Sequence, residues 1–90
     1  MFYAYVLLSD KDNKLYVGYT KNLKLRFEQH CDGEVKSTKY RRPLNLIYYE
    51  ACLLEGDARK REKYFKTYYG HIFLKKRLKS YFTGRDKVNK

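Results

Sequence analysis

Five side chains in this sequence have types and spacings that could do chemistry on a phosphate. Arg26 and His30 stand four apart in "NLKLRFEQH", so a helix through them presents both on one face. An arginine there can grip a phosphate with two parallel hydrogen bonds, and a histidine can give or take a proton near neutral pH. Tyr5 and Tyr16 fall in two strand-like runs, "FYAYVLLS" and "LYVGYT", that a hairpin would bring together. Gly18 interrupts the second run, and a glycine inside a strand often marks a bulge or a close backbone approach. Glu62 shares a helical stripe with Ala58, Phe65 and Tyr69, the stripe expected to face the body of the protein. A carboxylate buried there costs several kcal/mol unless a metal, an arginine or hydrogen-bond donors compensate. Plainer uses stand beside these. Tyrosines fill sheet faces, arginines coat helices, and Glu62 precedes Lys66 by four, a surface pair worth ~0.3–0.5 kcal/mol.

Other chemistries lack their residues. The "DKD" at 10–12 has neither the glycine nor the glutamate of a calcium loop. Cys31, Cys52, His30 and His71 do not match zinc spacing, and no phosphate-binding glycine loop or dinucleotide fingerprint occurs. Ten acids, eight of them scattered through residues 1–58, do not suggest a cage around two metals. Phosphodiester hydrolysis, if it occurs, would use one metal with cationic or phenolic helpers.

The chain that must position these groups has 90 residues, 16 of them aromatic, which suits one small globular domain. Its net charge is +11, and the distribution matters more than the total. Residues 1–58 sum to +1 and residues 59–90 to +10. So local an excess favours a polyanion partner, because each neutralised phosphate releases counterions. No apolar run is long enough for a membrane span and the first residues lack a signal-peptide pattern. A cytoplasmic protein with two free thiols is expected.

The two strand-like runs around "DKDNK" predict a β-hairpin. Asn22 caps a helix carrying Leu23, Phe27 and His30. Residues 32–43 are polar, basic and without period, and read as a long loop ending at Pro43. "LNLIYYEA" at 44–51 is a third strand. Residues 55–69 form a helix with Gly70 as its C′ residue, and "HIFLKKRLKSYF" forms another, stopped by Gly84. The order is β-β-α-β-α-α, an α+β domain over residues 1–84. Residues 85–90 are left as a basic, frayed end.

In this order, "YAY" at 3–5, "YVG" at 16–18, "RFEQH" at 26–30 and "REKYFK" at 61–66 resemble the GIY-YIG nuclease domain, most closely its small stand-alone bacterial members. The first motif reads Tyr-Ala-Tyr where the family has Gly-Ile-Tyr. The resemblance covers residues 2–82 and implies a three-stranded antiparallel sheet flanked by helices. It implies a DNA endonuclease using one divalent cation, Mg2+ or Mn2+, for in-line attack of water, leaving a 5′-phosphate and a 3′-hydroxyl. By position, Tyr5 and Tyr16 would be the motif tyrosines, Arg26 the phosphate-binding arginine, His30 its helix neighbour and Glu62 the metal ligand. Tyr16 would act as general base, which requires a neighbouring cation or metal-bound water because a free phenol has a pKa of ~10, and Tyr5 and His30 would orient the attacking water or the phosphate. Lys39, Arg41 and Arg42 in the loop, with Arg59, Lys63, Lys66, Lys75 and Lys76 on the helices, would track the nucleic acid. DNA, nicked or branched, is the expected partner and RNA is a second possible polymer. The rival reading is a non-catalytic nucleic-acid-binding module on the same fold.

Overall fold

The computed structural model describes residues 1–88. Strands β1 (Phe2–Ser9), β2 (Leu15–Thr20) and β3 (Leu44–Cys52) form one antiparallel sheet in the order β2-β1-β3. Helix α1 (Leu23–Cys31) follows β2, and α2 (Glu55–Phe65), α3 (Tyr68–Arg77) and α4 (Lys79–Val88) follow β3. This is the expected α+β architecture with the C-terminal helical region divided once more. No helix among the described residues is long and apolar enough to cross a membrane.

The central position of β1 explains its composition. Ala4 through Ser9 are all buried, because both faces of the middle strand are covered and successive side chains alternate between them. On one face Tyr5, Leu7 and Leu44 pack with Tyr16, Leu23 and Phe27. On the other, Ala4, Val6 and Val17 pack with Phe65 of α2 and Leu74 of α3. The sheet therefore separates α1 from α2 and α3. The hairpin register sets Tyr5 opposite Gly18 and Leu7 opposite Tyr16, which makes the two motif tyrosines diagonal neighbours.

Asn22 caps α1 as expected, its side chain accepting from the Leu25 N–H at 3.1 Å. The boundary at Phe65 differs from the sequence expectation. Thr67 caps a new helix by accepting from the Gly70 N–H at 3.0 Å, so Gly70 lies in the first turn of α3 and does not end α2. Its Cα packs against the backbone of Tyr64 and Phe65, leaving no room for a side chain. With the helix broken there, Tyr69 leaves the buried stripe and is 72% exposed. Helix α4 runs through Gly84 to Val88, past the expected stop. Of the end left as frayed, residues 89–90 lie outside the described residues.

The long loop is more ordered than its composition suggested. It contains a 3-10 turn at Lys39–Arg41 and buries Val35 and Thr38. Arg41 fastens it to the hairpin by donating to Asp12 at 2.7 Å and to the Lys14 carbonyl at 3.2 Å. The Ser9 hydroxyl donates to the Arg41 carbonyl. Cys31 and Cys52 are both free.

Candidate active site

Tyr5, Tyr16 and His30 form one aromatic cluster on the α1 side of the sheet. The His30 ring lies 5.2 Å from Tyr16 and 5.7 Å from Tyr5, and the two phenol rings are 6.5 Å apart. Gly18 makes this possible. A Cβ at that position would collide with the end of the Tyr5 ring, coming within 2.8 Å of Cε2. The expected close approach at Gly18 is thus made by a neighbouring side chain.

His30 is fully buried and both ring nitrogens are engaged. Nε2 is 2.8 Å from the Tyr5 hydroxyl and Nδ1 is 2.7 Å from the Thr38 hydroxyl. The Thr38 hydroxyl also donates to the Val35 carbonyl at 3.5 Å. One assignment uses every proton. Thr38 donates to Val35, His30 donates from Nδ1 to Thr38, and Tyr5 donates to Nε2. With its proton committed inward, the Tyr5 oxygen keeps lone pairs free to accept. The His30 bonds thus fix the orientation of the Tyr5 hydroxyl.

Electrostatics agree with this arrangement. Burial, reinforced by the Arg26 guanidinium, pushes the His30 imidazole down to about 4, so it is neutral at pH 7. Burial raises the Tyr5 phenol. Arg26 opposes that rise, while the acidic groups of Tyr16 and Glu62 add to it. Arg26 is half-buried and its guanidinium also donates to Gln29 at 3.3 Å.

A pH dependence follows. Between an ordinary histidine pKa of ~6.5 and about 4, the unfolded chain binds a proton that folded His30 refuses. The His30 contribution is whole above the upper value and declines as pH falls toward the lower one, by about 3 kcal/mol in total. Tyr5, Tyr16, Arg26 and Thr38 are the polar groups around it. Ring resonances of His30 should stay flat from about pH 8 to about pH 5. A midpoint near the ordinary value would contradict the buried neutral state.

Glu62 lies on α2 with its side chain only 15% exposed. It accepts from Lys66 at 3.1 Å, and Arg59 stands 3.9 Å from its other oxygen. The helix-surface pair and the sheltered carboxylate, open alternatives in the sequence, are both present. Arg59 also lies 3.8 Å over the ring of Tyr19. The Tyr19 hydroxyl is buried with no hydrogen-bond partner among the described residues. Burial, then the charge of Glu55, raises its pKa, with Arg59 opposing and Glu62 adding. Glu62, a carboxylate only 15% exposed, is the kind of oxygen donor a hard divalent cation takes, with water and phosphate oxygens completing its shell. No group of three or more His, Cys, Asp or Glu that could hold a metal occurs among the described residues.

The basic residues divide by partner. Arg41 is committed to Asp12 and turned toward the hairpin. Arg59 is shared between Glu55 at 3.5 Å and Glu62 at 3.9 Å, and Lys66 is paired with Glu62. Lys63, Lys75 and Lys76 are exposed on the helices, and Lys75 lines a cleft beside Lys79 and Arg85. Lys39 and Arg42 remain on the outside of the loop. Thr38, Ser37 and Tyr19 were not foreseen. Ser37 donates to the Tyr16 hydroxyl at 3.4 Å. The loop residues had no periodicity to mark them, while Tyr19 was marked only by its place in "YVGYT".

Comparison with known proteins places the chain. The GIY-YIG catalytic domain family matches residues 1–73. A UPF0213 protein of Pediococcus pentosaceus is 50% identical over 66 residues, covering 72% of this chain and 68% of the relative. A UPF0213 protein of Staphylococcus aureus strain Mu3 is 45% identical over 58 residues, covering 63% of this chain and 71% of the relative. No solved structure matches significantly. The sheet order, the paired tyrosines, the α1 arginine and the α2 glutamate thus stand within the matched segment, and the chain belongs to the GIY-YIG catalytic domain family, a family of nucleases that are generally divalent-metal dependent.

Proposed function

We propose that this protein is an endonuclease that hydrolyses DNA phosphodiester bonds with one divalent cation, Mg2+ or Mn2+. The observation that carries the reading is convergence on one phenol. Tyr5 packs with Tyr16 and His30, its hydroxyl is 2.8 Å from His30 Nε2, and Arg26 stands one turn from His30 on the same helix. Packing alone does not require a buried Tyr5–His30–Thr38 hydrogen-bond chain beside an arginine.

Each residue then has a task. Arg26 binds the scissile phosphate and stabilises the charge that grows on it in the transition state. Tyr5, its proton held by His30, accepts a hydrogen bond from the attacking water and aims it. Tyr16 acts as general base in its phenolate form, which a neighbouring cation or metal-bound water would favour, and takes the water's proton. The new P–O bond forms as the in-line P–O3′ bond breaks, and the departing O3′ takes a proton from solvent water to become the 3′-hydroxyl, leaving the 5′-phosphate on the other fragment. Glu62 holds the cation, which when bound supplies Lewis-acid stabilisation of the phosphate oxygens.

One observation favours the non-catalytic alternative. Glu62 is paired with Lys66 and approached by Arg59, as a purely structural glutamate would be. Incubation with nicked, flapped, branched and single-stranded DNA, and with RNA, with and without divalent ion, separates the two. The nuclease reading expects metal-dependent products ending in 5′-phosphate, and at least a ~100-fold loss in Tyr16→Phe. Absence of products from every substrate, with binding retained, would establish the binding module.

A further inference from the structure

The loop of residues 32–43 borders a second cleft that the proposed chemistry does not use. Its volume is about 480 Å3, within the ~300–1,000 Å3 of small-ligand sites. Lys11, Lys39 and Arg42 bring three positive charges to it, and Tyr40, Pro43 and Leu44 bring apolar surface. Tyr40 is 75% exposed, with the Lys39 ammonium 5.5 Å above its ring. A phenol ring left this open adds nothing to the core.

Arg42 is the informative member. Its Nε donates to the Lys39 carbonyl at 2.9 Å and its Nη1 to the Cys31 carbonyl at 3.4 Å. The guanidinium lies flat on Gly33, whose φ of +77° is the left-handed region that suits glycine. A Cβ there would come within 2.8 Å of the guanidinium carbon. No carboxylate pairs with Arg42 among the described residues. Its neighbour Arg41 behaves oppositely, being spent on Asp12. The fold thus immobilises one arginine without neutralising it, and sets an open aromatic ring two residues away. The same loop reaches the active-site wall through Thr38 to His30 and Ser37 to Tyr16.

We infer that this cleft is a subsite for one unpaired nucleotide of a DNA strand adjoining the cleavage position, with its phosphate on Arg42 and Lys39 and its base stacked on Tyr40. Duplex DNA offers phosphates but keeps its base faces covered. An unpaired nucleotide offers both, so the cleft discriminates for flaps, gaps or single strands. The inference takes DNA as the polymer from the proposed function and is otherwise independent of catalysis.

The test is fluorescence anisotropy without divalent ion, using a labelled oligothymidylate and a blunt duplex, across a salt series. Tyr40→Ala should weaken single-strand binding by about fivefold or more, the scale of one lost stack, and change duplex binding by less than about twofold. Arg42→Ala should weaken both and flatten the salt slope by about one phosphate contact. Lys76→Ala, a surface charge on α3, should not separate the two polymers. Because Tyr40 is mostly exposed, its removal leaves the fold intact, which circular dichroism checks. Failure of the parent to bind the single strand, a smaller loss in Tyr40→Ala, or an equal loss on duplex overturns the inference. Cleavage that persists in that event leaves the nuclease reading standing. Tyr40-dependent binding without cleavage in the parent removes only the nuclease reading.

Discussion

Glu62→Gln is expected to give a folded protein that no longer cuts DNA, with cleavage reduced by at least about 10³-fold, or ~4 kcal/mol of barrier. Glutamine keeps the volume and the hydrogen-bonding reach of the side chain. It removes the negative charge that would hold a divalent ion. The stability effect is small. Lys66 is 55% exposed and the Arg59 contact is long, and pairs of that kind contribute under about 1 kcal/mol. Cleavage assays and urea unfolding run on the same preparation separate the two effects. Parent-level cleavage by the variant would remove Glu62 from the chemistry. Lys66→Ala probes the same carboxylate from its other side. With the competing ammonium gone, half-maximal cleavage should need less divalent ion.

Gly18→Ala should damage fold and site together. The added methyl would meet the hydroxyl end of the Tyr5 ring, which is 1% exposed and has no space to retreat. Overpacking of this kind costs about 1–3 kcal/mol, and relief requires the ring to move off β2. That movement breaks the Tyr5–His30 hydrogen bond and leaves a buried imidazole nitrogen without its donor, a further ~1–3 kcal/mol. A lower unfolding midpoint together with at least a ~100-fold loss of cleavage is the expected result. The loss should exceed that of Tyr5→Phe, which keeps the ring in place. Gly18→Ala with parent-like stability would show that the ring can shift freely and that the packing argument is wrong.

The sheet was readable because its signals are local. Hydrophobic runs and a polar turn of five residues predict the hairpin without tertiary knowledge. Spacing likewise put Arg26 and His30 on one helix face. The break at Phe65 was not readable, because it depends on Thr67 capping a turn whose Gly70 must fit against the end of α2. Arg41 and Arg42 are identical letters in adjacent positions, yet one clamps the hairpin and the other lies open on Gly33. Their fates are decided by Asp12 and Gly33, far off in sequence or dependent on one backbone angle. Thr38 is the sharpest case. Its contact with His30 closes across a segment whose composition says only loop, and it orders the protons around Tyr5.

The place of β1 in the middle of the sheet has a consequence for biosynthesis. Its pairings with β3 run from Ser9–Leu44 to Phe2–Cys52, so the sheet cannot close until β3 has been made. At about 5–20 residues per second, the ribosome needs roughly 2–9 seconds to travel from the end of β1 to the end of β3. Through that interval the most apolar segment of the chain has only the β2 hairpin beside it, and an isolated two-stranded hairpin is marginal in water. The nascent chain is therefore at its stickiest before β3 is complete, and slower translation lengthens that exposure.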